Sequence, residues 1–285
     1  MRKIRSVVVL LCVVISVAAV IFTVNHNINR SVRITEYNFA HNDIPDAFNG
    51  YKIMLISDLH EAPFSEQILR HIEDTEPDVI LFCGDIVQLP DYSFEEAKRI
   101  AEGVGGRIPM YAVSGNHETQ NKEYEHIVGN LWDAGIEWLE NDSKKIKRSG
   151  AVIYIIGAKD IRHDNVLEED VKSEVISEIE NELPVDSSAF TILINHRANM
   201  YPYLKNIGVD LILSGHLHGG VVRLPFLGGL FGDKAYKGSL LPEYDYGLYH
   251  EGAAAMIVSA GCDKNPSKAR FMNRPEVVLI TLDSR

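Results

Sequence analysis

Residues 213–220 read LSGHLHGG: an apolar run over residues 209–213 enters a Ser-Gly turn and delivers His216 and His218 on its far side. The run has the composition of a buried strand, and the turn is tight enough to aim the following side chains at one point. Neutral imidazole is the commonest nitrogen ligand of transition metals, yet one HxH pair cannot complete a coordination sphere. Partners must come from elsewhere in the chain. On this spacing alone, a pair of surface loop histidines is the alternative.

The same punctuation recurs upstream. Residues 51–57, YKIMLIS, form an isoleucine-rich apolar run that ends in Asp58-Leu59-His60, and residues 79–82 run into Gly84-Asp85. Residues 110–113 deliver Gly115-Asn116-His117-Glu118, and residues 190–194 end at Asn195-His196. Each run is a predicted strand. Between them the pattern predicts helices over residues 65–74, with Ser65 as cap, and over 93–102, 121–134 and 168–182. The glutamates of the last helix form a solvated face. A short strand and loop follow Ser31, a basic turn starts at Lys144, and further strands are predicted at 151–156, 253–259 and 277–282. Strands alternating with helices predict parallel pairing through βαβ units. In such sheets, groups at the carboxyl ends of strands converge. A turn residue explains any one of these polar exits, but not five of them in succession.

Composition narrows the function. The chain has 285 residues and a formal net charge of −12. The first 30 residues hold four basic and no acidic side chains, leaving residues 31–285 with 24 basic against 40 acidic, a net −16. A body this acidic repels polyanions at long range, which argues against bulk nucleic-acid binding. Cys12, Cys83 and Cys262 are widely spaced and form no CxxC or Cys/His pattern, so neither a disulfide framework nor structural zinc is expected, and Cys83 reads as a buried strand residue.

Residues 6–24 carry no charge and follow Arg2, Lys3 and Arg5. At ~1.5 Å per helical residue they nearly span a ~30 Å hydrocarbon core. Ser16 and Ala18 offer a small-residue cleavage site, but the apolar run continues past them to Phe22, which favours an uncleaved anchor. Residues 1–30 are therefore expected to anchor the chain and residues 31–285 to form one catalytic domain. The basic residues ahead of the segment, set against Arg30 and Arg33 behind it, place the body on the extracytoplasmic side.

Taken together, DLH at 58–60, GD at 84–85, GNHE at 115–118, the lone His196 and GHLH at 215–218 resemble the calcineurin-like metallophosphoesterases from residue 51 to the C-terminus. SGHLHGGVVRLPF, EYDYGLYHEG and NRPEVVLITL resemble its membrane-associated branch, which includes YkuE-type and YaeI-type phosphoesterases. The resemblance implies a layered α/β/β/α sandwich of two mixed sheets flanked by helices. It implies one metal held by Asp58, His60 and His218, another by Asn116, His196 and His216, and Asp85 bridging them. Carboxylate, amide oxygen and imidazole suit Mn, Fe, Zn or Mg, and two such ions clamp the oxygens of an in-line displacement at phosphorus. His117 is then placed to protonate or stabilise the leaving oxygen. Gln88 and Glu118 depart from the family's usual acidic residue after GD and its Asp after GNH, which puts the orientation of the ligands in question.

Arg197 and Arg223 are candidates to touch a phosphate, and His163 and His250 are weaker candidates for the site. The expected activity is hydrolysis of a phosphoester or pyrophosphate bond in a phosphorylated small molecule or, given the anchor, a lipid-linked or envelope substrate. The alternatives are a tethered phosphatase or nucleotide phosphodiesterase acting on soluble substrates, and an exported metal-binding module without catalysis.

Overall fold

The computed structural model of the chain describes residues 2–160, 169–184, 186, 188–232, 240–263 and 270–285. His163 and the predicted helix start at Glu168 lie outside the described residues. The elements, in chain order, begin with α1 (Arg2–Ile28), β1 (Arg33–His41), β2 (Lys52–Ile56), α2 (Ser65–Thr75), β3 (Val79–Cys83), α3 (Glu95–Val104) and β4 (Met110–Val113). There follow α4 (Asn116–Thr119), α5 (Tyr124–Asp133), β5 (Ile136–Trp138), β6 (Asp142–Arg148), β7 (Ala151–Gly157), α6 (Glu169–Asn181) and β8 (Thr191–Arg197). The last are α7 (Tyr201–Leu204), β9 (Leu211–Gly215), β10 (Arg223–Leu224), β11 (Gly228–Gly229), β12 (Gly247–His250), β13 (Ala255–Val258) and β14 (Glu276–Ser284).

Two six-stranded sheets carry the body, one ordered β1-β14-β2-β3-β4-β5 and the other β12-β13-β9-β8-β7-β6. The strands β2 to β5 pair in parallel, as do β13, β9, β8 and β7, while β14, β6 and β12 join antiparallel. The sheets are therefore mixed, as the α/β/β/α expectation requires.

Side-chain alternation builds the layers. In β2, Ile53 and Leu55 enter the core between the sheets, while Met54 and Ile56 face the opposite way, towards Ile68 and Ile72 of α2 and Ile100 of α3. In β9, Leu211 and Leu213 fill the same central core and Ile212 joins Val175 and Ile179 of α6 outside it. Strands apolar on both faces belong in a sheet covered on both sides. Burying each such aliphatic side chain contributes roughly 1.5–3 kcal/mol.

Several local expectations change. Ser65 is the first residue of α2 rather than its cap; its amide donates instead to Glu96 Oε2 (3.0 Å). The stretch expected as a basic turn is β6, an edge strand whose residues alternate in exposure and pair along their length with β7. Lysines on an edge strand keep it from pairing with other chains, and their charge hides the period-two pattern from a hydropathy reading. The short strand expected after Ser31 is nine residues long and pairs in parallel with β14.

Candidate metal centre

Five strands end at one rim. Asp58 and His60 follow β2, Asp85 follows β3, Asn116 and His117 follow β4, His196 is the penultimate residue of β8, and His216 and His218 follow β9. The crossing of the two sheets at this edge brings residues 158 positions apart into hydrogen-bond contact: the His216 amide donates to Asp58 Oδ1 and Oδ2, both at 3.1 Å.

The backbone is strained to achieve this. Asp58, His60, Asp85, His216 and His218 all take positive φ, between 45° and 75°. Such conformations cost about 1–3 kcal/mol each in non-glycine residues and cluster where function requires them. Glycine supplies the room. A Cβ on Gly84, itself at φ +74°, would lie 2.6 Å from the Gly115 amide nitrogen and 2.7 Å from His196 Nδ1. A Cβ on Gly215 would lie 1.8 Å from Ser57 Oγ. The glycines of GD and SGH are therefore what lets the strands approach.

The converging side chains form two groups that share one carboxylate. Asp58, His60, Asp85 and His218 present ligand atoms all within 4.8 Å of one another, and so do Asp85, His196 and His216. Asp85 Oδ2 lies 3.5 Å from His60 Nε2 and 3.4 Å from His196 Nε2. The second pair of imidazoles meet at 3.2 Å, His216 Nδ1 to His196 Nε2, and His218 Nε2 is 3.8 Å from Asp58 Oδ1.

Among the candidate ligands, both ring nitrogens of His60 and Oδ1 of Asn116 are buried without hydrogen-bond partners. Buried polar atoms left unpaired cost about 1–3 kcal/mol each, so the donor set fits bound cations that would satisfy them. Oxygen and imidazole donors without thiolate suit divalent metals of the first transition row.

The same contacts set the charges of the centre. Burial pushes Asp85 up, but the facing imidazoles, His196 first, outweigh it and hold the carboxyl well below the usual carboxylate range. Asp58 is lowered as His218 and His196 outweigh its burial. Burial pushes His60 down to about 4 against the pull of Asp85, so it stays in its neutral, ligating form. Burial also opposes charge on His196, yet Asp85 overcomes it and holds this imidazole well above its ordinary value.

Further side chains orient the centre. His196 Nδ1 donates to the Cys83 carbonyl (2.7 Å), which turns Nε2 towards Asp85. Asp263 Oδ1 sits 3.1 Å from His218 Nδ1 and is itself paired with Arg270. Metal-binding histidines are commonly oriented in this way through their second nitrogen. Glu118 accepts from the amides of Gly115 (2.7 Å), Asp85 (2.8 Å) and Val87 (2.9 Å), tying the loop after β3 to that after β4. Its burial and then the charge of Asp85 push its carboxyl up to about 7, against the Val87 and Gly115 amides. Glu118, one of the two departures noted in the sequence, thus makes an orienting contact of its own.

His117 Nδ1 accepts from the Leu89 amide (2.9 Å), so the neutral ring carries its proton on Nε2, 4.0 Å from Asp85 Oδ2. That is a donor facing the centre.

The two arginines expected to reach a phosphate have other engagements. Buried Arg197 meets Asp160 through Nε (2.6 Å) and Nη2 (3.1 Å), and Asp160 walls a cavity of about 490 Å³ beyond α4. Arg223 Nη1 donates to Asp245 Oδ2 (2.7 Å) and the Gly219 carbonyl (2.9 Å), and its guanidinium stacks 4.8 Å over Tyr246. Both arginines are thus paired with carboxylates within the chain. His250 stands on the exposed edge of β12. Of the orienting residues, Glu118 lies inside a motif and was visible in the sequence. Asp160, Asp263 and Arg270 carry no sequence signal, because their partners are 37, 45 and 7 positions away and only the fold joins them.

Comparison with known proteins extends these observations. Residues 51–220 match the family described as calcineurin-like phosphoesterase. The Bacillus subtilis metallophosphoesterase YkuE is 26% identical, covering 89% of this chain and 86% of its own length. The Escherichia coli phosphodiesterase YaeI is 28% identical over 81% of this chain and 82% of its own length. Among solved structures, the Haemophilus influenzae NAD nucleotidase NadN superposes with a TM-score of 0.51 at 15% identity, over 74% of this chain and 50% of that one. This last likeness concerns the fold.

Proposed function

The chain belongs to the calcineurin-like phosphoesterase family, and we propose that it cleaves its phosphoester at a pair of divalent metals that share Asp85. It is a metal-dependent phosphoesterase of the YkuE- and YaeI-like branch. The observation that carries the two-metal reading is the sharing of one carboxylate, that of Asp85, by two clusters of ligand atoms, the first of which holds the unpartnered ring nitrogens of buried His60.

In this reading Asp58, His60, His218 and Asp85 hold one cation, and Asp85, Asn116, His196 and His216 hold the other. When bound, the ions supply Lewis acidity at the phosphoryl oxygens and bring the pKa of water towards neutrality. The chain does the rest. Asp263 and the Cys83 carbonyl fix the faces that His218 and His196 present. Glu118 sets the distance between Asp85 and Asn116 by holding the backbone of both loops. His117, with its proton kept on Nε2 by Leu89, gives that proton to the leaving oxygen. Arg197 and Arg223 keep the walls in place rather than bind phosphate.

Helix α1 supports a membrane-anchored enzyme, since residues Ile4–Ile28 are long and apolar enough to cross a bilayer. We infer an extracytoplasmic body from the basic residues ahead of the segment, and a phosphorylated substrate at the membrane, such as a lipid-linked phosphate or an envelope polymer. Comparing lipid-linked with water-soluble diesters, in bilayer-reconstituted and detergent-dispersed protein, tests the substrate. The expected result is a preference for the lipid-linked diester that grows in the bilayer; equal preference in both settings contradicts it. A reporter fused to the C-terminus tests sidedness: activity confined to the cytoplasm would reverse the orientation.

A further inference from the structure

Beyond α1 and the metal rim, the described residues leave one part of the body conspicuously apolar at its surface. Phe226 is fully exposed, Leu240 is 71% exposed, and Leu227, Phe231, Leu241 and Met272 are each about half exposed or more. Among the described residues outside α1, three other large hydrophobics are exposed: Tyr92, Trp132 and Leu248. Single exposed apolar side chains are normal, whereas a grouped set marks a surface meant to be covered.

Backbone pairing shows that the six residues belong together. Phe226 and Leu227 form the tip of the hairpin made by β10 and β11. On one side of this hairpin, the Leu241 amide donates to the Leu230 carbonyl (3.1 Å) and Phe231 bridges Leu240. On the other side, Val222 bridges Phe271 and the Arg223 amide donates to the Phe271 carbonyl (2.9 Å). The result is a ribbon of short extended segments, 271–272, 221–224, 228–231 and 240–241. Phe226, Leu241 and Met272 also sit at positive φ, an unfavourable conformation for large side chains, and all three are exposed.

The ribbon's two ends define its setting. At one end, Met272 donates its amide to Asn25 Oδ1 (2.8 Å), and the Arg270 carbonyl accepts from Asn25 (2.8 Å) and Asn29 (2.7 Å), the residues where α1 leaves its apolar run. At the other end, the ribbon starts from Gly220, two residues after His218. The apolar ribbon is therefore tied to the exit of α1 through Met272 and rooted beside the metal rim through the strand that follows His218. A hydrophobic surface continuous with the end of a membrane-spanning helix has one occupant that needs no further protein, the bilayer surface itself.

We propose that Phe226, Leu227, Phe231, Leu240, Leu241 and Met272 seat in the interfacial layer of the membrane and hold the metal rim against the lipid headgroups. The proposal rests on α1 being the anchor. It adds that the body is docked rather than tethered at a distance, so that a headgroup phosphate enters the site from the bilayer.

The test uses the full chain in phosphatidylcholine and phosphatidylglycerol nanodiscs, with acyl chains brominated close to the headgroup. In F226W, the indole emission added to that of Trp132 and Trp138 is expected at short wavelength and at least twofold weaker in brominated than in unbrominated discs. F226S/L227S is expected to leave turnover of a soluble diester within twofold, since neither residue touches the centre. Added emission that is red-shifted and unquenched in a chain that co-elutes with the disc overturns the docked seat and leaves the anchor standing. A chain that elutes free of lipid overturns both. Two chains per disc, dispersed to one by F226S/L227S, identify a second copy as the occupant and also overturn the proposal.

Discussion

His117 and Asp263 separate chemistry from support at the level of single side chains. His117 is oriented by Leu89 with Nε2–H towards the centre, and it is outside the two groups of ligand atoms. His117→Ala is therefore expected to lower kcat by roughly 10²- to 10⁴-fold with metal content unchanged. A variant that keeps full kcat, or that loses metal in proportion to activity, contradicts the proton-donor role. Asp263 touches no substrate in this account; it steadies His218 while Arg270 steadies it. Asp263→Asn should weaken metal retention about 10- to 100-fold. Titrating metal into the variant provides the check, because lost activity should return at high metal concentration. Activity that no metal concentration restores would make Asp263 something other than a positioning residue. Sequence reading found the donors because each follows an apolar run. It could not find Asp263 or Arg270, whose roles exist only once the connection between β13 and β14 is folded against the turn after β9.

Among the elements, the strands were the most legible. Predicted runs at 79–82 and 110–113 match β3 and β4 to within a residue, since a strand buried on both faces is apolar throughout. Boundaries fixed by long-range partners were less so. Helix α3 is capped by Glu61, which lies in the loop after β2 and accepts from the amides of Glu95 (3.1 Å) and Glu96 (3.3 Å) and the Ser93 hydroxyl (2.6 Å). No local N-cap pattern announces a cap borrowed from 34 residues upstream. Glu61 is also adjacent to His60, so this bond links α3 to the centre. Losing a helix cap costs about 1 kcal/mol. Glu61→Ala should accordingly lower the melting temperature by roughly 2–4 °C, a shift appropriate to a domain of this size. An unchanged melting temperature would mean that water caps α3 equally well.

For the whole molecule, the two-sheet sandwich explains why candidate ligands scattered over 160 residues converge, and why they meet at a rim rather than inside. The central core holds β2, β3, β8 and β9 face to face, so their carboxyl ends open on the same edge. The layered fold was expected through family resemblance; hydropathy alone predicted strands alternating with helices without dividing them between two sheets. The docking of α1 was not legible at all, because Asn25 and Asn29 look like the polar end of an anchor and their partners are about 245 positions away.

The central claim is that Asp85 joins two cations. It is met most directly by counting metal per chain after reconstitution, in the parent and in Asp85→Asn. The account predicts two ions in the parent and a loss of metal in the variant, because both groups give up the shared charge. One ion or none in the parent, or two retained in Asp85→Asn, would contradict it.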